Sequence, residues 1–244
     1  MTQAHFELEL VSARMVAPRV RELSFRRADG AALAWQAGQF VTLHLPHAEK
    51  ELRRSYSIAT VPGTASSIAI AASRVDGGRA TGILFALEPG ARVQASGPFG
   101  RFVLKDDPPC RYLLVATGTG VSPYRSMLPE LAQRIAAGRC EADLLLGVRS
   151  REELLYGADF EALAAREPRF RFHACYSRAM PDAPRAWERS GYVQQVLAPF
   201  PVDAARDIAY VCGNPGMIDA VHAQLTAAAF PIAHVRREKY VSSN

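Results

Sequence analysis

An antiparallel β-barrel over residues 1–106, followed by a doubly wound parallel-sheet α/β domain over 107–244, is the architecture this chain predicts. Three observations carry it. Short apolar runs with period-two alternation, separated by Gly and Pro, fill the first hundred residues. From about residue 110 the runs become continuously apolar and each is followed by a helical stretch, as in buried parallel strands with crossover helices. The length, 244 residues, suits two domains of ordinary size, and a hinge rich in Asp and Pro falls at 105–110.

In chain order, residues 6–11 and 40–45 alternate strictly and 20–25 partly. The extended stretch Arg53-Arg54-Ser55-Tyr56-Ser57, then 67–72 and 92–96, complete a set of short strands typical of a small barrel. One helix interrupts them, opening at Gly78 to Thr81 and running to about Leu87. The second half reads as strands at 112–116, 142–148, 170–174 and 208–212, with helices at 124–137, 158–166, 193–198 and after the last strand to 229. Strand followed by helix, four times over, is the pattern of a doubly wound sheet.

Composition narrows the function classes. Apolar residues make up 49% and charged residues 22%, the balance of a folded globular protein. No segment has the length of a membrane span, and Met1-Thr2-Gln3-Ala4-His5 lacks the basic and apolar regions of a leader, so a cytoplasmic monomer is expected. The net charge is +5, but the basic residues are dispersed, without an aromatic-interleaved stripe; an acidic protein or a phosphorylated cofactor is the expected partner, and nucleic acid is not. Cys110, Cys140, Cys175 and Cys212 stand thirty or more residues apart, outside the spacing of zinc or iron–sulfur loops, and no metal site is expected.

Four stretches carry chemistry. In an extended chain Arg54 and Tyr56 share a face, where a guanidinium grips a phosphate, a phenol ring stacks on a heterocycle and the Ser57 hydroxyl donates to a ring nitrogen; the competing reading is an exposed strand with surface arginines. Gly77-Gly78-Arg79-Ala80-Thr81 opens a helix, where free N–H groups and the helix dipole favour an anion; it also reads as a plain turn with Thr81 as cap. Gly118-Thr119-Gly120-Val121-Ser122-Pro123 follows the first parallel strand, the place where open α/β sheets bind nucleotides, with Ser122 expected to cap the helix. Cys212-Gly213-Asn214-Pro215-Gly216-Met217 ends the 208–212 strand and opens a helix, joining a thiol to glycines that admit a ligand; a buried structural cysteine is the plainer alternative. Arg149 and the pair Ser177-Arg178 follow the second and third parallel strands, and an arginine with a hydroxyl suits a ribose 2′-phosphate better than a free 2′-hydroxyl.

In this order the motifs resemble the ferredoxin–NADP reductase family of two-domain flavoproteins: Arg54-Ser55-Tyr56-Ser57 matches its Arg-x-Tyr-Ser element, Gly78 to Thr81 its Gly-x-x-Ser/Thr element, Gly118 to Pro123 its nucleotide loop, and Cys212 to Met217 its Cys-Gly-x-x-x-Met element. The resemblance implies a flavin-binding barrel and an NADP(H)-binding α/β domain. Arg54, Gly78 and Thr81 would hold the FAD pyrophosphate, Tyr56 would stack on the isoalloxazine, and Ser57 would sit by flavin N5. Gly118, Thr119 and Gly120 would take the NADPH pyrophosphate, and Ser177 and Arg178, helped by Arg149, its 2′-phosphate. Cys212, with Gly213 and Met217, would lie at the nicotinamide. Glu238-Lys239-Tyr240 resembles the family's Glu-x-Tyr end, so Glu238 is expected in catalysis and Tyr240 on the flavin, with a tail, residues 241–244, beyond it. The implied activity is hydride exchange between NADPH and FAD, with single electrons passed to a separate acidic ferredoxin or flavodoxin, for which Arg53 is a candidate contact. Two alternatives stand beside it: an NADH-dependent reductase component of an oxygenase, which 187–193 and 147–149 resemble, and a flavin- or nucleotide-binding module without turnover.

Overall fold

The computed structural model describes residues 5–47 and 50–240, and within them the chain forms two six-stranded sheets, one in each of two compact units. Of the described residues, the first unit holds the chain up to Leu104 together with Ser122–Met127; the second holds Lys105–Val121 and 128–240.

The first unit contains β1 (His5–Ala17), β2 (Val20–Arg27), β3 (Phe40–His47), β4 (Lys50–Ser57), β5 (Ile68–Ser73), α1 (Arg79–Ala86) and β6 (Arg92–Phe99). Every pairing is antiparallel, in the order β4-β3-β6-β1-β2-β5. A bridge between Ile58 and Ile70 joins the end of β4 to β5 and closes the barrel. The alternation is what builds the interior: Leu8, Leu10, Leu23, Phe25, Val41, Leu43 and Ile70 are sealed inside, with Leu84 of α1 packed onto them. Each such side chain contributes roughly 1.5–3 kcal/mol by leaving water.

Strand β1 is longer than its alternation. Its pairing with β2 slips between Leu10 and Ser12 and again between Met15 and Ala17, each irregularity resetting which face a side chain occupies. Val11 and Met15 are left exposed as a result, and the period-two signal ends where the first slip occurs.

The second unit contains β7 (Cys110–Thr117), β8 (Cys140–Val148), α3 (Gly157–Arg166), β9 (Phe170–Tyr176), β10 (Glu188–Ser190), α4 (Val193–Leu197), β11 (Asp207–Gly213), α5 (Pro215–Ala227) and β12 (Val235–Lys239); α2 (Ser122–Ala136) follows β7. All its strand pairs are parallel, in the order β10-β9-β8-β7-β11-β12. Leu113, Val115, Leu145, Ala209 and Val211 face α4 and α5 in one core. The alternate residues point the other way, where Phe172 meets Phe160 of α3 with ring centroids 5.4 Å apart. Helices on both faces explain the near-continuous apolar runs.

Two strands were outside the sequence expectation. β10 has three residues, and β12 reads Val-Arg-Arg-Glu-Lys, with no apolar pattern because it is the sheet's edge. Each of the four central strands carries one cysteine, Cys175 on β9, Cys140 on β8, Cys110 on β7 and Cys212 on β11, all four buried free thiols. At the amino ends of these strands the buried carboxylates are paired: Arg171 donates to Asp143 at 2.6 and 2.7 Å, and Arg111 to Asp207 at 2.9 Å. Burial works to raise the Asp143 carboxyl, and the Arg171 hydrogen bonds together with the Arg171 and Arg111 charges and the His173 ring hold the group below the usual carboxylate range. No described helix is long and apolar enough to cross a membrane.

Candidate functional site

In the first unit β4 does what its alternation requires. Leu43 faces Arg54 and Val41 faces Tyr56 across the β3–β4 ladder, so both candidate side chains lie on the side of those two buried residues. Arg53 and Ser55 turn to the opposite, exposed face, where Arg53 donates to Glu51 at 2.6 Å and the Ser55 hydroxyl meets that of Thr42 at 3.0 Å. Burial pushes the Tyr56 phenol up to about 12, only partly countered by the nearby Arg54 charge, so the ring is neutral at physiological pH. One guanidinium nitrogen of Arg54 donates to the Arg53 carbonyl at 2.8 Å, and Ser57, opposite Phe40, is buried at the strand's end.

At the start of α1 the Thr81 hydroxyl lies 3.1 Å from the Gly78 carbonyl and 3.3 Å from both the N–H and the carbonyl of Val75. Thr81 thus fixes the turn, and what the turn presents outward is backbone: the first-turn N–H groups of a helix have no intrahelical acceptor.

In the second unit the strand order reverses direction of growth between β7 and β11, the crevice where ligands of open parallel sheets bind. There two predicted motifs meet. A Cβ on Gly120 would stand 2.5 Å from the Cys212 carbonyl oxygen, and one on Gly213, whose φ is +127°, 2.5 Å from Thr117 Oγ1. Both positions accept only glycine. Thr117, which the motif pattern passes over, ties the two loops: its Oγ1 accepts the Asn214 N–H at 3.0 Å. Asn214 in turn caps α5, accepting from the N–H groups of Gly216 at 2.9 Å and Met217 at 3.3 Å. The Met217 side chain joins the core beneath α5.

The expected cap at Ser122 is not formed. Gly118–Val121 makes a 3₁₀ turn, Val121 takes the cap position, and Ser122 starts α2 with its hydroxyl buried and without a hydrogen-bond partner among the described residues.

Cys212 is fully buried. Desolvation drives its thiol well above its ordinary value, the Glu238 charge adds to that, and a hydrogen bond with the Tyr240 side chain opposes it, so the sulfur stays protonated. Glu238, expected in catalysis, stands on β12 in register with Cys212, and Tyr240, expected on the flavin, follows the strand directly, its N–H donating to the Gly213 carbonyl at 2.9 Å. The tail at 241–244 lies outside the described residues.

Further along the same edge the loop after β9 closes on the loop after β8. Ser177 N–H donates to the Val148 carbonyl at 3.0 Å, and Arg178 and Ala179 N–H both donate to the Arg149 carbonyl, at 3.0 and 3.1 Å. This brings Arg149, Ser177 and Arg178 together. Arg178 is exposed, while Arg149 Nε donates to Glu153 at 2.9 Å. Tyr192, 54% exposed, follows β10 at the same edge and is a ring that the motif pattern does not mark; its signal is an aromatic residue directly after a strand-ending Ser-Gly.

Comparison with known proteins gives two family models, the oxidoreductase FAD-binding domain over residues 7–104 and the oxidoreductase NAD-binding domain over 114–223. The chain is 40% identical to ferredoxin–NADP reductase B of Sorangium cellulosum, over 98% of this chain and 100% of that one. It is 30% identical to the toluate 1,2-dioxygenase electron transfer component of Pseudomonas putida, over 99% of this chain and 69% of the relative. Among solved structures, Amycolatopsis cytochrome P450 reductase GcoB superposes with a TM-score of 0.86 at 28% identity, covering 100% of this chain and 72% of that one.

Proposed function

The chain belongs to the ferredoxin–NADP reductase family of oxidoreductases, with an FAD-binding and an NAD-binding domain, and on that premise we propose its reaction. It exchanges a hydride between NADPH and bound FAD, and single electrons with a separate acidic carrier, a ferredoxin or a flavodoxin. The observation that carries the proposal is the glycine-only meeting of the 118–120 and 212–213 loops at the sheet's switch point, on the same carboxyl edge as the turn that bears Ser177 and Arg178.

The residues present fit both groups. Arg54 and the N-terminal turn of α1 at Gly78 supply a guanidinium and backbone donors for a pyrophosphate, with Thr81 holding the turn. Tyr56 would offer a neutral ring to the isoalloxazine, and Ser57 a hydroxyl donor to a flavin ring nitrogen. Gly118, Thr119 and Gly120 would receive the second pyrophosphate on backbone N–H groups, and Ser177 and Arg178 would take the 2′-phosphate, with Tyr192 as a stacking surface for the adenine. FAD, when bound, supplies the hydride acceptor and one-electron donor that no side chain here provides. The protein's share is orientation and exclusion of water. Cys212 serves it as a neutral thiol, held by Tyr240 and faced by Glu238, and Met217 anchors the turn that carries Gly213.

An anaerobic visible spectrum tests this. The purified protein is expected to be yellow and to bleach with NADPH, and Arg178→Ala to lower kcat/KM for NADPH about tenfold or more while sparing NADH. A colourless protein that stays apo with added FAD, or an Arg178→Ala variant that keeps its NADPH preference, would overturn it. The likeness to the toluate dioxygenase component, together with 187–193, supports a second reading: an NADH-dependent reductase feeding an oxygenase. A kcat/KM ratio favouring NADH selects that reading, and failure to reduce ferricyanide with FAD bound would leave a module without turnover.

A further inference from the structure

In the loops after β8 and β9 and around β10 the arginines are unequally committed, Arg189 of β10 donating, among the described residues, only to the Ala186 and Glu188 carbonyls. Arg151 is held by Glu188 and Arg185 by Glu161. Arg149 is held by Glu153, with Nε 2.9 Å from each carboxylate oxygen. Arg178 is exposed and makes no ion pair among the described residues. The Glu153 side of the pair is fixed in place by its backbone, a 3₁₀ turn over Arg151–Glu153 in which Glu153 N–H donates to the Ser150 carbonyl at 3.1 Å. The pair is not sealed: the side chains are 43% and 25% exposed.

A nucleotide 2′-phosphate carries close to two negative charges and is best met by two guanidinium groups. Glu153 withdraws one of them. It occupies the Nε donor of Arg149, cancels its charge locally, and sets a carboxylate against that guanidinium, which repels a further anion approaching it. The same carboxylate is the type of group that accepts a hydrogen bond from a free ribose 2′-hydroxyl. We propose that Glu153 is a nucleotide-selectivity residue: by holding Arg149 it leaves 2′-phosphate recognition to Arg178 and Ser177 and keeps the site open to NADH. This rests on the proposed position of the 2′-phosphate at Ser177 and Arg178. Arg149 is then a reserve cation, its charge available only when Glu153 is neutralised.

The test is calorimetric binding of 2′,5′-ADP and 5′-AMP to the FAD-loaded protein and to its Glu153→Gln, Arg149→Ala, Arg149→Ala/Glu153→Gln and Arg178→Ala variants. Glu153→Gln is expected to tighten 2′,5′-ADP about fivefold without tightening 5′-AMP, since a partly exposed charge pair is well screened. The gain should vanish in the double variant, because it depends on the released Arg149. Arg178→Ala separates the two levels of the argument. If it leaves the preference for 2′,5′-ADP intact, the placement of the nucleotide is wrong. If it abolishes the preference, yet Glu153→Gln leaves the ratio of the two affinities unchanged or raises it equally without Arg149, the role given to Glu153 is wrong.

Discussion

Gly120 and Gly213 hold the β7 and β11 loops at a separation that no side chain permits. Gly120→Ala is expected to force backbone from backbone, costing about 2–4 kcal/mol of stability and weakening NADPH more than FAD; urea denaturation with separate FAD and NADPH titrations reads both. Glu188 makes a pH prediction with a definite sign. Its buried carboxylate accepts from Arg151 at 2.8 Å and from the Tyr176 hydroxyl at 2.7 Å, and Arg151 foremost holds its pKa at about 2, below the ordinary 4.5. A depressed carboxyl stabilises the fold at pH above its unfolded value and loses that contribution as pH falls towards the folded one. Glu188→Gln should therefore lower Tm by roughly 5 °C at pH 7, and the gap to the wild type should close between pH 4.5 and 2. At this scale the glycines of the two loops stood out in the sequence because a tight turn dictates their type, whereas the caps did not: one was expected at Ser122, which makes none, and Asn214 at the start of α5 was not marked. Thr117 and Glu153 were not legible either, since what they do depends on which strand or turn stands opposite them.

Among the elements, β12 carries a single apolar residue, Val235, and is held largely through one charged side chain. Arg236 donates to Asp107 at 2.7 Å and lies over the Tyr210 ring at 4.9 Å, so it ties the edge strand both to the segment before β7 and to β11. Both partners of the ion pair are mostly buried. Arg236→Ala should cost about 3 kcal/mol, seen as a lower urea midpoint, and should raise amide exchange in 235–239. That dependence is also why the strand was invisible in the sequence: its stability comes from a charge pair and a ring contact, not from a repeating apolar face. β1 hides its second half for a different reason, the two register slips after Leu10. The barrel and the parallel sheet as wholes were readable, because strands such as β3 and β7 are buried on one or both faces and their composition records it.

For the whole molecule, the net charge of +5 sets how a carrier would be met. With an acidic carrier, KM is expected to rise several-fold between about 50 mM and 0.5 M salt, while turnover with an uncharged quinone stays within about twofold; equal salt responses would remove the electrostatic basis of the encounter. The distribution of cysteine over the molecule has a practical consequence. All four thiols lie in the second unit, one on each of four adjacent strands, those of β7 and β8 at the strands' amino ends and those of β9 and β11 towards the other. A thiol-alkylating reagent should leave the native protein almost untouched and, under mild denaturant, label the sheet only as it parts. Peptide mapping of the first modified cysteine would then date the opening of each end of that sheet separately, with no probe introduced and the barrel silent throughout.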